Sequence, residues 1–499
     1  MSDAQSAAAP AVDNQALKLA VVGHTNTGKT SLLRTLARDP GFGQVQDSPG
    51  TTRHVEGASL LVDGRPAVTL YDTPGIEDSI ALLDYLEQIA PAASRLDGPE
   101  RIRRFLDSPE AHRRFEQEAR VLRKLLDSDA GLYVVDARDP ILGKHKDELT
   151  ILASCGHPLL PVLNFTHSPQ QRLSQWREAL ARLGLHAIAE FDTVAPALDG
   201  EAQLYDKLAL LLDGHAALLR EIRDEVAQQK SQRHKDGLRL IAELLVDAAA
   251  WRIACEPDQE SVEAAAQNLR RQVRDRETAC VRSLLKRYNF SQRDFPAHAL
   301  PLEGERWGMD LFHPQALKDF GVHVGKGLAA GAMAGATLDV FTAGLSLGAA
   351  TLLGAAVGGL WQGADKIGKR VMGRLQGYRE ITVDDAVLRL LALRQLALLR
   401  ALERRGHAAQ APIELEAAAD ENTPTAPAPQ AGQPAPSTRD LSPGWQSGRL
   451  PDELQEARSQ PQWSTLSGNY ENSSRRKQVV QALTARLSHP ASGAAAQDA

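Results

Sequence analysis

The sequence predicts an α/β fold of the P-loop type, with a mixed, mostly parallel sheet, followed by an all-α domain and a disordered tail. Three observations carry that prediction. Residues 23–31 read Gly-His-Thr-Asn-Thr-Gly-Lys-Thr-Ser, a full match to G-x-x-x-x-G-K-[ST] set between an apolar run and a helix-like segment. From about residue 200 the apolar residues recur three or four apart over long stretches. From about residue 408, Pro, Ala, Gln, Ser and Thr dominate, and such a composition cannot bury enough apolar surface to offset its chain entropy.

The first element is the run Leu17–Val22, read as a buried strand. Gly23 and Gly28 let the following loop curl so that its N–H groups, through His24, Thr25, Asn26 and Thr27, point at phosphate oxygens. Lys29 can reach the β- and γ-phosphates and the Thr30 hydroxyl can hold Mg²⁺. Ser31 opens the helical segment 31–37, whose N-terminal dipole favours an anion. Next come Ala58–Val62, the turn Asp63-Gly64 and Ala67–Tyr71, a hairpin by its Asp-Gly turn between apolar runs. The hairpin ends on Asp72-Thr73-Pro74-Gly75. An Asp-x-x-Gly there can supply a magnesium-side carboxylate from Asp72 and a γ-phosphate-sensing glycine at Gly75. Before the hairpin, Gly50-Thr51-Thr52-Arg53 offers a threonine that can close over the metal from the other side.

With these signatures, GHTNTGKTS, PGTTRH and DTPG, residues 17–80 resemble the G domain of the Era/TrmE-like bacterial GTPases. The resemblance implies a Ras-like G domain that binds GTP and Mg²⁺. It makes Thr52 the metal-closing threonine and Thr51 the spare, and it gives Lys29, Thr52 and Gly75 the catalytic roles. In that family the loop asparagine, here Asn26, helps to hold K⁺; an ordinary loop-capping side chain is the alternative. Ile76 follows DTPG where Ras-like proteins carry a water-orienting glutamine. Hydrolysis must then lean on electrostatics, and slow turnover is expected.

The chain departs from the family at the guanine-reading motif Asn-Lys-x-Asp. The strand Pro158–Leu163 ends in Asn164-Phe165-Thr166-His167, which keeps the asparagine and loses the lysine and aspartate. Guanine specificity therefore rests on the family and not on these residues, with Asn164 the one carried over. Asp192-Thr193-Val194-Ala195 occupies the place of the last base-contact loop and matches it poorly. The spacing also departs: about 90 residues separate DTPG from Asn164, roughly double the family's distance. With Tyr133–Asp136 as the strand that follows the second switch, the excess lies at about 80–125. It reads as charged helices, Leu82–Ile89, Pro99–Leu106 and Pro109–Leu126. They suit a partner that reads nucleotide state, or a solvated decoration. The arginines 101, 103, 104, 113, 114 and 120 are interleaved with acids and read as a helix surface.

The net charge of −6 excludes a basic nucleic-acid binder over the whole chain. Three widely spaced cysteines suggest structural thiols in a reducing compartment. The first 15 residues carry neither a basic start nor an apolar core, and are read as disordered with no secretory signal. The expected domains are then 16–215, the G domain; 216–407, a helical domain; and 408–499, a mostly disordered tail with a short helix at Arg475–Leu487. Helices are expected over Leu204–Gln228, Leu238–Ile253, Ser261–Arg287 and Val383–Arg405.

Within the helical half, Gly327, Gly331 and Gly335, then Gly344 and Gly348, then Gly354 and Gly358 recur four apart, and Val340–Ala364 carries no charge. Glycines so spaced let two helices approach closely. A hairpin over 326–363 follows, with Gly327–Phe341 and Leu345–Trp361 as its arms and cations such as Lys326, Lys366, Lys369 and Arg370 at its ends. It suits either a membrane-dipping hairpin that meets anionic lipid through 326–370 or a packed soluble helix pair. The layout over residues 15–405 resembles a bacterial family in which an Era-like G domain is fused to a helical domain of unknown function with a Gly-rich hairpin.

The expectation is a cytoplasmic GTPase switch with GTP, Mg²⁺ and K⁺ as ligands. Association with the inner membrane face comes through the hairpin, and a protein effector would be met by 80–125 or the helical domain. The rivals are a nucleotide-dependent scaffold that barely hydrolyses, and an RNA- or ribosome-linked factor, which the acidic balance and the missing RNA module disfavour.

Overall fold

The computed structural model describes residues 16–38, 56–62, 65–197, 199–290, 379–404, 445 and 449–488, with short pieces between 302 and 347. The chain divides into two units between Gln229 and Lys230, later than the expected boundary at 215.

The first unit runs β1 (Leu17–Val22), α1 (Lys29–Ala37), β2 (Glu56–Val62), β3 (Arg65–Asp72), α2 (Ser79–Ile89), α3 (Gly98–Leu106), α4 (Glu116–Leu126), β4 (Ala130–Asp136), α5 (Gly143–Ala153), β5 (Leu159–Asn164), α6 (Leu173–Arg182), β6 (Ala189–Glu190) and α7 (Gly200–Leu211). Helix α8 (Ala216–Ala250) spans the boundary between units. The strands form one sheet in the order β2-β3-β1-β4-β5-β6. Only β2 is antiparallel to its neighbour, paired with β3 as the Asp-Gly turn predicts; the other pairings are parallel. Alternate residues of β1 feed the two faces: Leu17, Leu19 and Val21 join one core with α1 and α7, and Ala20 and Val22 join the other.

That second face is where the inserted helices lie. Leu82 and Leu86 of α2, Ile102 and Phe105 of α3, and Ala119, Val121, Leu122 and Leu125 of α4 are buried in it. Each helix is built on an apolar stripe. Helix α3 starts with a capping box, Asp97 accepting from the Glu100 amide and Glu100 from the Asp97 amide. The segment read as one helix over Pro109–Leu126 is broken: a 3-10 turn covers Pro109–His112 and α4 begins only at Glu116. Two of the arginines read as a helix surface pair with acids there, Arg114 with Asp78 and Arg120 with Glu116, and the nearby Arg123 donates to Leu106 O.

The second unit continues with β7 (Arg252–Cys255), α9 (Gln259–Arg287), β8 (Leu302–Glu303), β9 (Arg306–Trp307), β10 (Leu345–Leu347), β11 (Arg379–Val383), α10 (Asp385–Arg404), α11 (Asp452–Ser459) and α12 (Ser474–Ser488). It is not purely helical, because β10, β11 and β7 form an antiparallel sheet. The helix expected over Leu238–Ile253 accordingly stops at Ala250 and the chain turns into β7. Most of the Gly-rich hairpin at 326–363 lies outside the described residues; the described part, Leu345–Leu347, is a strand where the second helical arm is expected.

The folded region also extends past the expected limit at 407. Within the stretch read as a polar tail, Trp445, Leu450, Leu454, Ala457, Trp463, Val479, Val480 and Leu483 are core residues of the second unit. Asp247 of α8, fully buried, holds this segment. It accepts from Arg476 Nη2 at 2.9 Å, from the Thr465 hydroxyl at 2.7 Å and amide at 3.1 Å, and from Arg276 Nε at 2.8 Å.

Candidate functional site

The loop between β1 and α1 sits at the carboxyl ends of the parallel strands, where open α/β sheets bind ligands. Gly28 has φ +92°, and a Cβ there would lie 2.3 Å from Asn164 Nδ2, so no other residue fits. Lys29 is buried, and its Nζ donates to the carbonyls of Gly23 at 3.1 Å and His24 at 2.6 Å. Burial pulls its ammonium down to about 8, opposed by the charges of Asp72 and Glu148. Thr27 closes the loop internally, its hydroxyl donating to His24 O at 3.0 Å. Asn26 is exposed with φ +65°, a left-handed conformation that asparagine tolerates well. Ser31 lies in the first turn of α1, and its carbonyl accepts from the Thr35 hydroxyl.

At the end of β3 the Thr30 hydroxyl donates to Asp72 Oδ2 at 2.5 Å. The pair offers oxygen donors alone and a single carboxylate, the set a hydrated Mg²⁺ takes when phosphate completes its shell. Among the described residues no group of three or more His, Cys, Asp and Glu is arranged to hold a metal. Thr73 turns away from the loop and donates to Val21 O at 2.6 Å, which joins β3 to β1. Pro74 is buried. Gly75 rests on the loop itself: a Cβ there would stand 2.3 Å from Thr25 Oγ1 and 2.7 Å from the Thr25 amide nitrogen. Next to it the Ile76 amide donates to Gly23 O at 3.2 Å while the Ile76 side chain is fully buried. Thr52, with 39–55, lies outside the described residues.

Three sets of contacts around this loop escape sequence reasoning, two of them made by His24 and Asn164, which the motifs already mark. The first surrounds His24. Its Nδ1 lies 2.7 Å from Glu148 Oε1 and its Nε2 2.8 Å from Lys144 Nζ. Since an ammonium can only donate, Nε2 is the acceptor and Nδ1–H the donor to Glu148. Glu148 is fully buried, and its second oxygen accepts from the Tyr133 hydroxyl at 2.9 Å. Lys144 and Glu148 are four apart on α5 and so share a helix face. The second group is Glu118 of α4, whose Oε1 accepts from the amides of Glu77 at 3.1 Å and Asp78 at 3.2 Å. The insertion therefore grips the segment just after DTPG. The third is the far end of the site. Asn164 is fully buried; its Nδ2 donates to Thr27 O at 3.0 Å, and its Oδ1 accepts from the amides of Phe165 and Thr193, both at 2.9 Å. Alongside, Asp192 binds His167.

Comparison with known proteins finds two family matches along the chain. Residues 18–165 match the family described as 50S ribosome-binding GTPase, and residues 177–485 match the domain of unknown function DUF3482. The tRNA modification GTPase MnmE of Synechocystis sp. is 43% identical over 79 residues, which is 16% of this chain and 16% of that protein. MnmE of Prochlorococcus marinus is 45% identical over 75 residues, 15% of each. The chain thus matches only a small part of the length of these relatives. Among solved structures, Era in complex with MgGDPNP and part of 16S ribosomal RNA is similar at 17% identity over 36% of this chain and 51% of that one, with a TM-score of 0.25. The G domain of the T. maritima FeoB iron transporter is similar at 17% identity over 40% of this chain and 99% of that one, with a TM-score of 0.24.

Proposed function

The chain belongs to the DUF3482 family and carries a GTPase-type G domain ahead of that region; from that premise we propose that it is a Mg²⁺-dependent, slowly hydrolysing GTPase switch. The observation that carries the proposal is the meeting of Thr30 and Asp72 at 2.5 Å beside the buried Lys29. Bound Mg²⁺ would supply positive charge at the phosphates. Thr30 and Asp72 would orient it, directly or through water, with Thr52 closing from the other side. Lys29 would leave its two loop carbonyls for the phosphate oxygens, and the loop amides from His24 to Thr30 would complete the cradle. Gly75, in contact with Thr25, would sense the γ-phosphate. Displacing it also breaks the Ile76–Gly23 hydrogen bond, so the state of the site reaches Glu118 and the inserted helices.

Slow turnover follows from the buried Ile76, which has no group to orient water. Asn26 would hold K⁺ beside the phosphates, as the family resemblance suggests. The hairpin region 326–370 would dock the protein on anionic lipid; among the described residues no helix is long and apolar enough to cross a membrane. The buried Ile76 also favours the second reading, a nucleotide-dependent scaffold that binds without appreciable hydrolysis. An RNA- or ribosome-linked role, which the family description and the Era complex bring to mind, is less consistent with the net charge of −6.

The test is GTP binding and turnover by the full chain with Mg²⁺, in potassium and in sodium buffer, with Lys29→Ala as control. Mg²⁺-dependent binding with slow, potassium-stimulated turnover is expected. Binding without turnover in either buffer would leave the scaffold, and unaltered binding by Lys29→Ala would show that the nucleotide sits elsewhere.

A further inference from the structure

The loops after β5 and β6, residues 164–168 and 191–195, lie side by side at the carboxyl ends of adjacent parallel strands. Asn164 ties them to the phosphate loop through Thr27 and Thr193, so they form the base end of the site proposed above. A guanine edge presents two donors, N1–H and the 2-amino group, and a carboxylate with free lone pairs is what reads both. Asp192 is the carboxylate these loops hold, and it is buried.

Its acceptor capacity is already used. A carboxylate has about four lone-pair sites. Asp192 Oδ1 accepts from the amides of Val194 at 2.9 Å and Ala195 at 3.1 Å. Its Oδ2 accepts from the His167 amide at 3.1 Å and lies 3.2 Å from His167 Nδ1. Four donors meet four sites, and nothing remains for a base. What the loops do present is Phe165 and His167. Phe165 is half-buried and held at φ +57°, a left-handed conformation that is strained for a bulky residue. The bond from its amide to Asn164 Oδ1 helps to hold it there. Its ring reaches to the edge of Gly28 and carries the Arg138 guanidinium at 4.0 Å from its centroid. That arginine is itself fixed by Asp136, which accepts from its Nε on both oxygens and from its Nη2 at 2.7 Å. The His167 side chain is 41% exposed. With Nδ1–H given to Asp192, its Nε2 is left as a single acceptor.

We propose that the base is read by stacking on Phe165 and by one hydrogen bond to His167 Nε2, with Asp192 as the residue that positions the imidazole, so that the site takes purine nucleoside triphosphates without reading the guanine 2-amino group. This rests on the nucleotide-binding reading above. Stacking on an aromatic face tolerates any base, and one neutral hydrogen bond separates ligands by about tenfold at most.

The experiment is the affinity of the full chain for GTP, ITP, ATP and inorganic tripolyphosphate, measured by calorimetry with Mg²⁺. GTP and ITP are expected to bind alike within about threefold, and ATP within about tenfold of them. Phe165→Ala should weaken all three nucleotides by about tenfold and leave tripolyphosphate unchanged. His167→Ala and Asp192→Asn should alter the GTP-to-ATP ratio in the same direction, again without effect on tripolyphosphate. The unchanged tripolyphosphate affinity reports an intact fold. A preference for GTP over ITP of about a hundredfold or more would show that the 2-amino group is read, and would overturn the proposal. So would nucleotide affinities indifferent to Phe165→Ala. If neither the nucleotides nor tripolyphosphate bind, the parent reading falls and takes this one with it.

Discussion

Burial pulls the Lys29 ammonium down to about 8 from 10.5, which sets a pH signature for this residue. The unfolded chain keeps the proton between about pH 8 and 10.5 while the folded chain releases it. Stability therefore rises across that window, and below it the folded state carries the cost of a buried charge. Lys29→Met removes the charge. The two carbonyls it leaves keep other donors, Ile76 N on Gly23 and the Thr27 hydroxyl on His24. The variant should be more stable than the parent by about 1–2 kcal/mol at pH 7, with the advantage shrinking toward pH 10, and should lose nucleotide binding. Thermal unfolding at the two pH values, with and without Mg²⁺ and GTP, checks both parts. In the parent chain the phosphates need the ammonium, so GTP affinity should fall about tenfold per pH unit above 8. Glu277 in the second unit carries the opposite shift, pushed up to about 7 by burial against the pull of Arg394 and Gln395. Here the folded state keeps its proton between about 4.5 and 7 after the unfolded chain has lost it, so stability falls with rising pH over that range and is level above it. Glu277→Gln cannot ionise. Relative to the parent it should gain up to about 3 kcal/mol between pH 5 and 8 in urea denaturation.

At the scale of elements, α12 is held to α8 by Asp247, whose oxygens take Arg276, Arg476 and both polar groups of Thr465. Removing that carboxylate strands two buried or part-buried guanidinium groups, which costs about 3–5 kcal/mol. Asp247→Ala should release residues 449–488 to limited proteolysis well below the unfolding temperature of the rest of the second unit. Cleavage confined to the same sites and rates as the parent would show that the apolar contacts of α12 suffice. The same elements mark how far sequence reasoning reaches. β1, the phosphate loop, α1 and the β2–β3 hairpin are legible because their signals are local: an apolar run, a Gly-rich motif, an Asp-Gly turn. Helix α12 is legible as a helix, at 475–487 against the observed Ser474–Ser488, but its place in the core is not. Its partner on α8 lies 229 residues away, and the Pro- and Ala-rich stretch before it hides the fact that Trp445, Trp463 and Leu483 have somewhere to go. His24 and Glu148, 124 apart, and Asp192 with His167 are hidden for a like reason. A neutral motif position or an ordinary loop aspartate carries no sign of which donors the fold will bring to it.

For the whole molecule, the position of the tail decides which piece can be studied alone. Composition places the last folded residue near His407, yet among the described residues eight core residues of the second unit come from 445–483, including Trp445 and Trp463. A chain ending at His407 would strip these from α8, α9 and α10 and leave their apolar partners exposed. Fully burying one large apolar side chain is worth about 1.5–3 kcal/mol, and a domain has only about 5–15 kcal/mol of net stability, so the loss exceeds what the second unit can absorb. The first unit takes no described residue from this segment: its sheet and both its cores lie within residues 17–226. The truncated chain should therefore keep one cooperative transition that Mg²⁺ and GTP raise by mass action, and should show the second unit as aggregation-prone, with no transition of its own by calorimetry. The full chain should show both transitions. A chain ending after Ser488 should match it, since the described core ends at Leu483. If the chain ending at His407 instead unfolds with the heat and midpoints of the full chain, α11 and α12 are ornaments on a core that closes without them, and the helical unit ends where composition alone would end it.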